Sequence, residues 1–141
     1  MLNTEHCGFL IKQIHNSLEK HANNALRSQD LTLAQINTLL LLNDTDKNQL
    51  TLKEIEKQLQ VAQSTAAGVV SRLEEKKFIQ SFSDKTDKRI KVIAITELGK
   101  KYCETSEKHM IEMENKILGA LEEAEREQFE RMLKKVNNAL K

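Results

Sequence analysis

Two stretches of the chain hold side chains suited to recognising another molecule: Gln63-Ser-Thr-Ala-Ala-Gly68 and Asp84-Lys-Thr-Asp-Lys-Arg89. On duplex DNA, the amide of Gln63 can pair bidentately with adenine, and a methyl such as that of Ala67 can touch thymine. The hydroxyls of Ser64 and Thr65 serve bases or phosphates, with Gly68 beside them. Arg89 is suited to a narrow, A/T-rich minor groove, where the potential is most negative. Asp87 stands two residues away, on the same side of an extended segment, and a carboxylate there can hold the guanidinium by a bidentate pair. Lys85 and Lys88 are candidates for phosphate contact, as are Lys53, Lys57 and Arg72 outside the two stretches. Each has a blander reading: a solvated helix, a surface hairpin with a local ion pair or, for Arg72, a structural pair with Glu74 or Glu75.

The chemistry of turnover is missing. There is no Gly-rich phosphate loop, nucleophile elbow or paired carboxylate in a recognisable context, so the expectation is a protein that is not an enzyme and needs no cofactor. Cys7 and Cys103 lie far apart in neither a metal nor a redox spacing. His6, His15, His21 and His109 match no structural zinc pattern, and no metal is expected.

Charge is balanced overall at +1 but unevenly placed. Between Thr51 and Lys91, nine basic residues stand against six acidic ones, so the rest of the chain is acidic by two. A basic middle is compatible with phosphate contact and weak evidence alone. With 39% hydrophobic and 30% charged residues in 141, the chain reads as one soluble domain. No apolar run approaches a membrane span, and the start lacks a basic region followed by an apolar stretch, so a cytoplasmic protein is expected.

The elements that must position these residues are mostly helical, in keeping with the absence of Pro and the scarcity of Gly. Apolar residues recur at three and four from about Asn3 to Arg27, the face of an amphipathic helix. Thr32 and Gln35 form a capping box that opens a second helix to about Asn43, and Asn43–Gln49 is a polar loop. Thr51 and Glu54 form another box, starting a short helix to about Leu59. A further helix runs from Gln63 to about Lys76, with Ala66, Val69, Val70 and Leu73 inward. Two short helices with a tight turn between them are a helix-turn-helix. Phe78–Phe82 and Ile90–Ile95 read as strands joined by the basic tip 84–89, a hairpin placed as a wing. Helices return from Thr96 to about Leu118 and from Glu122 to Leu140. The fold class is therefore mainly α with a small β-hairpin wing, a winged helix-turn-helix with long terminal helices.

Over almost its whole length the chain resembles the MarR family of bacterial transcription regulators. The resemblance rests on Ser64-Thr65 followed by Val69-Val70-Ser71-Arg72-Leu73-Glu74, and on Asp84-Lys-Thr-Asp87-Lys-Arg89 leading into Ile93-Ala-Ile-Thr96-Glu-Leu-Gly99. It implies a sequence-specific regulator of double-stranded DNA, a dimeric repressor or activator released by a small ligand or an oxidant, and a ligand-responsive homodimeric repressor is the expectation. The operator would be palindromic, and residues 31–96 would form the DNA-binding lobe of a single domain over 1–141. Residues 1–30 and 97–141 would be the dimerisation helices. The effector pocket would be lined by Phe9, Ile14, Ile36 and Leu40. Departures are Lys77, where the family usually has Gly, Ala67-Gly68, where it often has a long polar side chain, and Ala62, which supplies no capping oxygen. Cys7 lies near the reactive cysteine of a peroxide-sensing branch, whose tyrosine partners have no match beside it; Tyr102 is the single tyrosine. A redox-sensing regulator through Cys7 is one alternative, and a winged-helix protein scaffold that binds no DNA is another.

Overall fold

The computed structural model describes residues 5–27 and 30–141. Contacts divide the chain into two compact units, Met1–Glu107 and Lys108–Lys141. Helices α1 (Cys7–Leu26) and α2 (Leu33–Asn43) lead into strand β1 (Gln49–Thr51), followed by α3 (Leu52–Leu59) and α4 (Gln63–Glu75). Strands β2 (Ile79–Ser83) and β3 (Lys91–Ile95) form the hairpin. Helix α5 (Glu97–Leu118) begins in the first unit and ends in the second, and α6 (Glu123–Ala139) completes the second. The start of α1 expected near Asn3 lies outside the described residues.

The mainly helical architecture with a wing is the one expected, with a correction to the sheet. It has three strands in the order β1-β3-β2, both pairings antiparallel. Gln49, read as the end of a loop, instead pairs with Ala94, and Leu50 faces Ile93. Each of the 66–73 helix's expected inward residues is buried or half-buried, and Ala66, Val70 and Leu73 leave almost nothing exposed. With Leu39, Leu42, Ile55 and Ile93 they form the core that fixes the helix-turn-helix against the sheet.

Local chemistry sets the helix ends. The Thr32 hydroxyl accepts from the Gln35 amide at 3.2 Å while Gln35 Oε1 accepts from the Thr32 amide at 3.2 Å, the reciprocal box expected. Thr51 caps α3 by accepting from Glu54 N at 3.1 Å, but the Glu54 carboxylate takes the Thr51 hydroxyl proton rather than the backbone N–H, so this box is only half formed.

Helix α4 stops in a Schellman turn. Lys77 N donates to Glu74 O and Phe78 N to Leu73 O, both at 3.0 Å, with Lys77 left-handed at φ 65°. The joint is then locked to the start of α5. The Thr96 hydroxyl donates to Lys77 O at 2.8 Å and accepts from Gly99 N at 3.1 Å, and Thr96 N donates to Phe78 O at 3.0 Å. A Cβ on Gly99 would lie 2.4 Å from Phe78 O, which is why a residue without one stands there. This geometry is the physical content of the Thr-x-x-Gly pattern.

Lys77 is strained by its left-handed backbone, a conformation costing L-residues about 1–2 kcal/mol. Lys77→Gly removes that cost, partly offset by the greater freedom of glycine in the unfolded chain. Urea unfolding should show a net gain of about 0.5–1 kcal/mol. A loss would mean that the Lys77 side chain contributes to stability more than its backbone geometry costs.

Candidate nucleic-acid interface

Helix α4 is anchored by its buried stripe, and everything on the opposite arc faces solvent: Gln63, Ser64, Thr65, Ala67, Gly68, Ser71 and Arg72 are all exposed. Ala62 makes no side-chain cap, as its methyl dictates. A Cβ added at Gly68 meets nothing within 4 Å, so this glycine is not required by the protein's own packing. Arg72 makes no ion pair with Glu74 or Glu75 among the described residues; Glu74 instead accepts the Ser81 hydroxyl and ties α4 to β2.

The wing tip is built by two aspartates. Asp84 Oδ2 accepts from the Thr86 amide at 3.2 Å, the Thr86 hydroxyl at 2.5 Å and the Asp87 amide at 3.1 Å. Asp87 then grips Arg89 as expected, accepting from Nε at 3.1 Å and from a terminal guanidinium nitrogen at 3.2 Å, as well as from the Arg89 amide at 3.1 Å. The Arg89 side chain remains 91% exposed, so it is oriented without being consumed.

Both carboxyls are held below the ordinary carboxylate range, Asp84 chiefly by the Thr86 hydroxyl and Asp87 chiefly by the Arg89 side chain. Groups shifted this way contribute fully above their unfolded value and lose the contribution as pH falls through the lowered one. The tip therefore keeps this geometry at neutral pH and loosens only in acid.

The two recognition stretches meet across one groove of about 520 Å³, lined by Thr51, Leu52, Lys53 and Glu56 of the α3 start, Gln63, and Arg89, Ile90 and Lys91 of the wing. A shallower hollow of about 280 Å³ runs between the α2 start and α4, past Thr32, Gln35, Ser64, Thr65, Gly68 and Arg72. Lys53, Lys57, Lys85 and Lys88 are exposed, Lys57 beside Lys53 in a separate hollow under α3.

Two residues of this surface were not singled out from sequence. Lys91 stands two residues beyond Arg89 and lines both the 520 Å³ groove and a hollow on the wing face; the period of an extended strand could have placed it. Lys76 binds Asp30 through its carbonyl and its carboxylate, the latter at 3.6 Å, and reaches Gln35 Oε1 at 3.4 Å. It clamps the end of α4 to the corner between α1 and α2. Its partners are some forty residues away in sequence, beyond any local pattern.

The residues assigned to an effector pocket are dispersed in environment. Ile36 is buried and Leu40 packs against the same core, Phe9 is half-buried, and Ile14 is exposed on α1. None of them lines the hollows described above. Cys7 is an exposed free thiol. Cys103 is buried, which pushes its thiol pKa up, and Tyr102 packs on Phe78 with ring centroids 4.3 Å apart. Among the described residues no cluster of His, Cys, Asp or Glu is placed to hold a metal ion, and no helix is long and apolar enough to cross a membrane.

Comparison with known proteins agrees with this geometry. The sequence pattern of the MarR family matches residues 31–91. The crystal structure of S. aureus MepR in complex with DNA is similar with a TM-score of 0.85 and 30% identity, covering 95% of this chain and 98% of that one. A MarR/EmrR family transcriptional regulator from Acinetobacter sp. ADP1 is similar at 0.83 and 26% identity, covering 99% and 98%. The HTH-type transcriptional regulator YxaD of Bacillus subtilis (strain 168), described as uncharacterized, is 28% identical over 121 residues, 86% of this chain and 79% of its own.

Proposed function

The chain belongs to the MarR family, and from that premise we propose that it is a transcription regulator that binds double-stranded DNA as a twofold dimer. One observation carries the reading: Gln63 on α4 and Arg89 on the wing line a single groove together with Lys53 and Lys91. A sugar-phosphate backbone lying in that groove would put α4 in the major groove on one side and the wing in the minor groove on the other. The cations position the duplex and the side chains of α4 contact base edges. Gel shift with the purified chain and a duplex from upstream of its own gene tests this. A retarded complex that survives competition by unrelated DNA supports it, and no complex at micromolar protein overturns it.

The dimer rests on apolar surface that one chain leaves bare. Helix α1 buries only Leu26, while Leu10, Ile11 and Ile14 are exposed. Helix α6 buries none of its residues, and Met132, Leu133 and Val136 are about half exposed. Most helical stability in proteins comes from packing an apolar face, so each helix needs a partner. A closed twofold contact is the commonest solution, and it would set two copies of α4 about 34 Å apart, in successive major grooves of a palindromic site. Light scattering at micromolar concentration without DNA should give twice the chain mass. A folded monomer there would sink the dimer and the palindrome together.

A small-molecule effector would act on this dimer by binding more tightly to an arrangement of the two α4 helices unsuited to DNA. The apolar residues Phe9, Ile14, Ile36 and Leu40 are the proposed lining, with Ile14 on the bare face of α1. A thiol trigger at Cys7 is the rival mechanism; the chain's one tyrosine, Tyr102, is packed on Phe78 against the core. Cys7→Ser should therefore bind DNA within about twofold of the parent, as surface substitutions generally leave the fold intact. Release of DNA by peroxide that disappears in Cys7→Ser would establish the redox mechanism instead.

A further inference from the structure

Resting on the DNA-binding reading above, we propose that α4 selects A·T pairs over G·C pairs in the major groove. Guanine offers two acceptors in the major groove, best met by Arg or Lys, and cytosine offers an amino donor, met by Asp or Glu. The exposed arc of the first two turns of α4 holds neither type: Gln63, Ser64, Thr65, Ala67 and Gly68 carry one amide, two hydroxyls, two methyls and one bare backbone.

Arg72 is the first cation on the helix; it stands in the third turn, nine residues beyond Gln63, on the side that carries Thr65 and Gly68, where it is a candidate for phosphate contact. Glu74, the first carboxylate, is occupied by the Ser81 hydroxyl. Of the partners available, adenine alone presents the acceptor and donor pair that the Gln63 amide matches, and thymine alone presents a methyl for Ala67 and Thr65.

The glycine points the same way. A glycine inside a helix costs about 1 kcal/mol relative to alanine, and nothing lies within 4 Å of where a Gly68 Cβ would stand. The neighbouring Ala67 adds only a methyl, so the helix presents a low ridge that a thymine methyl can approach closely. Gln63 opens onto the groove that also holds Arg89, so the position it reads would adjoin the narrow minor groove that suits the wing.

The test is selection by the full-length chain from a pool of random-sequence duplexes, followed by base analogues in the selected site. The expected sites carry A·T pairs at the positions facing α4. Replacing their thymines by deoxyuridine removes only the methyl groups and should weaken binding about tenfold. Replacing the same A·T pairs by inosine·cytosine keeps an A·T-like minor groove while presenting a G·C-like major groove, and should weaken it at least as much. Selected sites rich in G·C at those positions, or full affinity for the inosine duplex, would overturn this proposal while leaving DNA binding intact. A pool from which nothing is selected, with no binding of any duplex, would overturn DNA binding and this proposal with it.

Discussion

Arg89→Ala is expected to lower affinity for the specific site by about 100-fold or more while leaving thermal unfolding almost unchanged. A guanidinium contact to a base edge is worth about 1–3 kcal/mol, and a twofold dimer loses it twice. The folded chain loses little, because the side chain is 91% exposed and, among the described residues, its one ion pair is with Asp87 in the same turn; exposed pairs contribute about 0–1 kcal/mol. Asp87 takes two of the five guanidinium donors, leaving the rest for DNA.

That arrangement predicts an order among variants. Arg89→Lys keeps the charge but loses the planar fork, so it should recover only part of the affinity. Asp87→Ala frees the guanidinium to rotate yet also removes an anion from the interface, so its loss should be smaller than that of Arg89→Ala. Measurement is by fluorescence anisotropy on a selected duplex beside a melt of each free protein. A sharp fall in melting temperature with unchanged affinity would make Arg89 a structural residue and remove the wing from the interface.

The parts of this surface that could be read from sequence are those with a short-range chemical cause. Thr32 and Gln35 announce a helix start because the box closes within four residues. The Asp87–Arg89 grip spans two residues, although they lie in the turn closed by Ile90 N donating to Asp87 O rather than in the extended segment expected, and the buried stripe of α4 follows the helical period. What was missed has causes far away in sequence or signals that are absent. Strand β1 has only three residues and exists because Leu50 finds Ile93 some forty residues on. The turns at Asp30, Gln60 and Lys77 are left-handed without glycine, so the usual marker of such turns is missing at each. Gln60 in particular makes the tight turn of the helix-turn-helix with a side chain that gives no hint of it. The clamp from Lys76 to Asp30 and Gln35 depends on the packing of three helices and has no local signature.

Salt should act on this protein more strongly than any single substitution. Besides Arg89, six cations are exposed around the groove and wing, namely Lys53, Lys57, Lys85, Lys88, Lys91 and Arg72, and Glu54 and Glu56 stand among those of α3. If about four per protomer meet phosphates, the dimer displaces counterions at roughly eight, and the slope of log affinity against log salt should be near −7. Raising salt from 50 to 200 mM would then cost about 10⁴-fold in affinity.

The chain's overall charge of +1 does not soften this, because the slope counts phosphates neutralised at the contact and not the charge of the whole protein. Lys91→Ala should make the slope shallower by about two, one contact in each half of the dimer. It should also weaken binding to specific and unrelated duplexes alike, unlike a change at Gln63. Titrations of a single duplex from 50 to 300 mM salt would settle the count. A slope shallower than about −2 would mean that the groove between α3, α4 and the wing does not hold a phosphate backbone, and would favour a winged-helix scaffold for another protein.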